Sequence, residues 1–214
     1  MRLSRLSKTG DRPPPYRHAM DDTLTTLGSM LNRTAALIAA VQPSDLARPT
    51  PCTDFDVEHL LEHMTTWVQV FDSTVHDRPL PFDPSSHVVG GDYSRVFTTA
   101  ADGIVEGLWA SGWDRMMTMT GSPLPGELVL NMLLMEYVGH GWDLARAIGA
   151  PVPYTDDEAL VALAAAQAII APEYRGTGMF DAEVLVPADA PAMDRAMAFV
   201  GRDPAWSAAS VAAH

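Results

Sequence analysis

Apolar residues recur at three- and four-residue spacing along most of the chain, the period of helices that bury one face. Leu24, Leu27, Leu31, Ala35, Leu37 and Ile38 keep that period in DTLTTLGSMLNRTAALIAAV, which predicts a first helix from Asp21 or Asp22 to about Val41. Pro43, Pro49 and Pro51 forbid a continuous helix over Gln42 to Cys52. Thr53 or Asp54 then offers an N-cap for a second helix, about Phe55 to His76, with Asp56 and Glu58 in the first turn, where acids suit the helix dipole. Its stripe is Val57, Leu60, Leu61, Met64, Trp67, Val68, Phe71 and Val75. His63 falls within about 60° of Leu60, Trp67 and Val70 on the helical wheel and so points inward; His59 lies near the edge of the same face.

Arg78 to about Tyr93, rich in Pro, Gly and Ser, reads as a long crossover. A third helix follows over about Asp92 to Ser111, then an extended stretch at Arg115 to Thr120, and Glu127 opens a fourth helix that Gly149 closes ahead of Pro151 and Pro153. Asp156 to about Ala171 is a fifth, alanine-rich helix; a short strand at Glu183 to Val186 and a short helix at Ala192 to Val200 complete the pattern. Residues 1–19 read as a flexible leader, because Pro13, Pro14 and Pro15 argue against a helix there. The expectation is an all-α protein: a four-helix bundle with a long crossover over residues 20–171, including the fifth helix, and a small C-terminal α/β appendage over 172–214.

The fourth helix breaks the rule that apolar surroundings hold apolar residues. LVLNMLLMEYVGHGWDLARAI, Leu128 to Ile148, is oily on nearly every side, as a buried helix is. Yet Glu136, His140 and Asp143 project from it within roughly 60° of one another, with Glu136 and His140 one turn apart. A buried carboxylate beside a buried imidazole is costly unless a charged or strongly hydrogen-bonding partner meets them. His63 from the second helix and the Glu136/His140 pair make three nitrogen and oxygen ligands from two helices. Such a set suits zinc, and also nickel, iron or manganese, with a coordination position left open. The plainer alternatives are a core histidine at His63 bonded to a backbone carbonyl, Asp56 or Glu62, and a simple charge-assisted pair at Glu136 and His140. Asp143 has a competing partner in Arg146, or else supports a ligand histidine. Gly139 and Gly141 flank His140 and imply that something approaches the backbone there. Cys52 reads as a packing residue, with a stabilised thiolate as the sharper alternative.

Charge narrows the partners. The net charge is −13; residues 1–20 contribute +4 and the rest −17. An acidic body of that size argues against nucleic acid or an anionic membrane and for small-molecule ligands. The single cysteine rules out an intrachain disulfide and fits a reducing cytoplasm. The start lacks the apolar core of a secretory signal, and no run approaches the ~20 apolar residues of a membrane span. Thirteen of the fourteen basic residues are arginine, which suggests a GC-rich genome. A homodimer through exposed bundle faces is an open option.

Three motifs then resemble one family. TPCTDFDVEHLLEHM (Thr50 to Met64) is similar to the TPC-x-x-W-x-V-x-x-L-x-x-H segment of the mycothiol-dependent maleylpyruvate isomerase N-terminal-domain family, within the DinB/YfiT-like superfamily of four-helix-bundle metalloproteins. MEYVGHGWDLARAIG (Met135 to Gly149) resembles its E-x-x-x-H-G-W-D-L-A-x-A-x-G segment, and DAEVLVPADAPAMDRAMAFVGRDPAW (Asp181 to Trp206) the ending of an actinobacterial metal-binding subgroup. Phe55, His59 and Gly139 depart from the family's usual residues, and the tail is shorter than the isomerase's own C-terminal domain. The resemblance implies a DinB/YfiT-like bundle with a divalent metal, zinc foremost, on His63, Glu136 and His140. It also implies mycothiol as a co-substrate whose sulfur the metal activates for attack on an electrophile, as in a thiol transferase or isomerase. Asp143 would orient a ligand or a substrate group. The alternative from another class is a non-catalytic metal sensor or a bundle that the ion merely stabilises.

Overall fold

In the computed structural model, residues 14–176 and 180–208 are described, with side chains from residue 21 onward. Six α-helices make up most of it: α1 (Pro14–Ala40), α2 (Val57–Val75), α3 (Tyr93–Ser111), α4 (Gly126–Ile148), α5 (Asp156–Ile169) and α6 (Ala192–Phe199). Two short antiparallel strands, β1 (Met116–Met119) and β2 (Ser122–Pro125), join α3 to α4 through a tight turn at Thr120 and Gly121. α3 and α4 each pack against α2, α1 packs on α3 and α4, and α5 covers α4 and in turn carries α6. The all-α bundle with a small appendage is thus the architecture of this chain. No helix among the described residues is long and apolar enough to cross a membrane.

The core follows the helical stripes. Leu24, Leu27, Leu31, Leu60, Leu61, Met64, Phe97, Ile104, Leu108, Leu133 and Tyr137 are all almost fully buried in one cluster. α4 is buried on most sides, as its all-round apolar pattern requires. Caps fix the ends. Asp56, rather than Thr53 or Asp54, caps α2: its side chain accepts from the His59 backbone N–H at 2.9 Å. Thr155 and Glu158 form a reciprocal capping box at the start of α5, and Gly149 ends α4 in the left-handed conformation.

Three expectations change. α1 begins at Pro14, so the prolines do not exclude helix there; a proline in the first turn loses no intrahelical bond and arrives with helical φ. The rest of the expected leader, residues 1–13, lies outside the described residues. The extended stretch at Arg115 to Thr120 gains a partner strand at Ser122–Pro125 that periodicity did not reveal. Glu183 to Val186 is no strand: it pairs with no strand among the described residues, and the Val184 N–H donates to the Ala198 carbonyl of α6.

Candidate metal centre

α2 and α4 meet where both carry polar residues on their inward faces. The buried neighbours of His63 on α2, Leu60 and Met64, hold that face against the core, so the imidazole is aimed at α4. There its Nε2–H donates to Glu136 Oε1 at 2.8 Å. His140 Nε2 stands 3.8 Å from the same oxygen, and the two imidazole centroids are 4.9 Å apart. One ligand atom from each of His63, Glu136 and His140 lies within 4.8 Å of the others. His63 therefore bonds neither a backbone carbonyl nor Asp56 or Glu62. Asp56 is taken by His59 at 2.7 Å, and Glu62 accepts from the Val89 and Gly90 amides and the Tyr93 hydroxyl of the crossover.

The other nitrogen of His140 is already committed. Its Nδ1–H donates to Asp143 Oδ2 at 3.0 Å, so Nε2 is the atom turned to Glu136. Asp143 is fully buried, and its expected partner on α4 is not the one it takes. Arg146 reaches instead to the Pro204 and Trp206 carbonyls of the C-terminal segment. Asp143 is gripped by Arg202, whose Nε donates to Oδ1 at 3.0 Å and Nη2 to Oδ2 at 3.3 Å. Arg202 escaped the sequence reading because it sits beyond α6 in a stretch without periodicity. The available signal was the unmatched buried acid itself, which calls for a cation from elsewhere in the chain.

Electrostatics agree with this geometry. Burial works to raise Glu136, yet the imidazoles of His140 and His63 and the Arg202 guanidinium outweigh it and hold the carboxyl below its ordinary range. Burial likewise works to depress His140, but Glu136 and Asp143 prevail and raise it. Burial pushes the Cys52 thiol up to about 11, although the nearby Arg202 acts the other way. Cys52 is buried, its surroundings favour the thiol, and the cap of α2 is four residues further on.

A cavity of about 380 Å³ opens beside these groups, lined by Cys52, Phe55, His63, Glu136, His140 and Arg202 among others. The Phe55 ring lies 4.9 Å from that of His63 and edge-on to His140 at 6.1 Å. The two glycines flanking His140 differ in cause. A Cβ on Gly141 would meet the Tyr154 hydroxyl, which packs into that notch and donates to the Tyr137 carbonyl at 2.7 Å. A Cβ on Gly139 would meet nothing within 4 Å, and this residue borders the cavity. Trp142 is core, while Trp67 is half-buried with its ring 6.2 Å from His63.

Two imidazoles and a carboxylate, with one imidazole oriented by a second buried carboxylate, are donors that fit a divalent ion. His63, Glu136 and His140 are the residues that could hold it, and the adjoining cavity leaves space for a further ligand.

Comparison with known proteins follows the same residues. A family model described as the mycothiol maleylpyruvate isomerase N-terminal domain matches residues 27–145, a span that contains His63, Glu136, His140 and Asp143 but not Arg202. Two uncharacterized proteins of Mycobacterium tuberculosis, from strains CDC 1551 / Oshkosh and H37Rv, are each 29% identical over 171 residues, covering 78% of this chain and 91% of each relative. No solved structure matches.

Proposed function

The chain belongs to the mycothiol maleylpyruvate isomerase N-terminal domain family, and from that premise we propose that it binds one divalent metal, zinc foremost, and activates a low-molecular-weight thiol, mycothiol. The single observation that carries this reading is the convergence of His63, Glu136 and His140 from two helices beside an open cavity. When bound, the metal supplies a Lewis acid that lowers the pKa of a thiol sulfur at its open position. The chain's own residues do the rest. Glu136 offers the anionic ligand atom, and the two histidines offer neutral nitrogens. Asp143 takes the Nδ1–H of His140, which fixes the tautomer and turns Nε2 inward. Phe55 covers one side of the histidine pair and limits access of water, while Gly139 keeps the helix face next to Glu136 and His140 clear of side-chain bulk. The reaction class that fits is transfer of the thiol to an electrophilic carbon, or isomerisation through a reversible thiol adduct. Ligands are small molecules rather than nucleic acid or membrane, in keeping with the net charge of −13.

The test has two readings: metal content of protein purified without chelator, and turnover of a chloro-dinitroaryl electrophile with and without added thiol. Metal together with thiol-dependent turnover is expected. Metal that raises the melting temperature without turnover across an electrophile panel would instead support a sensor or a structural ion.

A further inference from the structure

His140 belongs to two sets of donors at once. Its first partners are His63 and Glu136; its second are Cys52 and Asp143, whose ligand atoms also lie within 4.8 Å of one another and of His140. The second set contains a thiol, and Cys52 borders the same cavity as the first. Thiolate is the stronger ligand for zinc-like ions. An ion taken by this second set would be lost to His63 and Glu136 and would already carry a sulfur from within the chain.

What separates the two sets is Arg202. Its guanidinium reaches both oxygens of Asp143, at 3.0 Å and 3.3 Å, and it is permanently charged. A divalent ion on the second set would have to displace this fork or sit beside a like charge on a fully buried carboxylate. The guanidinium also keeps Asp143 where its Oδ2 accepts the Nδ1–H of His140, and that bond directs Nε2 at Glu136. Arg202 can stand there because Gly201, at φ +88°, turns the chain past Asp181 where a side chain would collide.

Resting on the metal centre proposed above, we propose that Arg202 is a positioning residue that selects the donor set: it commits His140 to His63 and Glu136 and bars Cys52 and Asp143 from coordinating the ion. The position for an external sulfur stays open because the internal one is kept away.

Cobalt(II) titrated into the full chain reads this directly, since a thiolate ligand adds a charge-transfer band in the near ultraviolet and imidazole and carboxylate ligands do not. In the wild type, cobalt binding without a thiolate band is expected. In Arg202→Met the band should appear, and Cys52→Ser in that background should abolish it. Arg202→Gln, which still donates a hydrogen bond to Asp143 but carries no charge, gives the same reading if the methionine variant does not fold. A wild-type thiolate band, or folded Arg202 variants that bind cobalt with the wild-type spectrum, would overturn the role of Arg202 and leave the His63, Glu136 and His140 site standing. A wild type that takes up no cobalt at all would overturn the metal centre itself, and this inference with it.

Discussion

His140 is the residue on which the chemistry turns, because both of its nitrogens are spoken for: one by Asp143, the other facing Glu136. Burial opposes its charge, but the two carboxylates raise its pKa above 6.5. Charged His140 therefore contributes stability to the metal-free protein that is full below pH 6.5 and is lost as pH rises through the raised value. Glu136 behaves oppositely. Its lowered pKa contributes stability above about 4.5 that is lost as pH falls through the folded value. Metal binding demands a bare Nε2 and so expels the proton of a charged His140. The expected outcome is that the metal-free melting temperature declines as pH rises above 6.5 through the raised value, while the increment produced by saturating zinc widens. A zinc increment that stays constant across those pH values would show that His140 gives up no proton to the ion. At this scale the sequence was informative wherever partners lie on one helix or repeat a helical period. Glu136 and His140 were legible as a pair and His63 as an inward imidazole. Of the two partners open to Asp143, the ligand histidine is the one it meets and Arg146 is not, because wheel spacing reports which residues are adjacent and not which way a long arginine reaches; its cation, Arg202, lies 59 residues away.

Among the elements, helix interiors were more legible than the residues that start α1 and α2. The stripes that place Leu60, Met64, Phe97 and Leu133 in the core fixed α2, α3 and α4 to within a residue or two, since burial enforces their period. Ends are set by local hydrogen bonds, and several residue types compete for them. Pro14 opens α1 where prolines suggested a leader, and Asp56 caps α2 although Thr53 and Asp54 offered the same chemistry earlier. The cap bears on function, because α2 delivers His63. Asp56→Ala removes the acceptor of the His59 amide and is expected to cost about 1 kcal/mol, read as a lower urea midpoint with an unchanged slope. His59→Ala, which deletes only the exposed side of the Asp56 pair, should leave the urea midpoint close to that of the wild type. Equal losses in the two variants would place the stabilisation in the ion pair and not in the cap. The Glu183 to Val186 stretch carries the opposite lesson: a short apolar run forms no strand among the described residues, and here one bond to the end of α6 stands where a ladder was expected.

For the molecule as a whole, the bundle brings two distant helices to one point and the C-terminal segment then locks that point from outside. Arg202 grips Asp143, and Arg146 holds the Pro204 and Trp206 carbonyls, so the segment after α6 is fastened to α4 on either side of the same turn. The family match ends at residue 145, short of this segment. The central claim is that His63, Glu136 and His140 together hold a single ion. Zinc titration of chelator-stripped protein by calorimetry, wild type beside His140→Ala, tests it most directly. One ion per wild-type chain is predicted, accompanied by a higher melting temperature, with both the uptake and the thermal gain lost in His140→Ala. Wild-type stoichiometry and affinity in His140→Ala, or no uptake by the wild type, would contradict it.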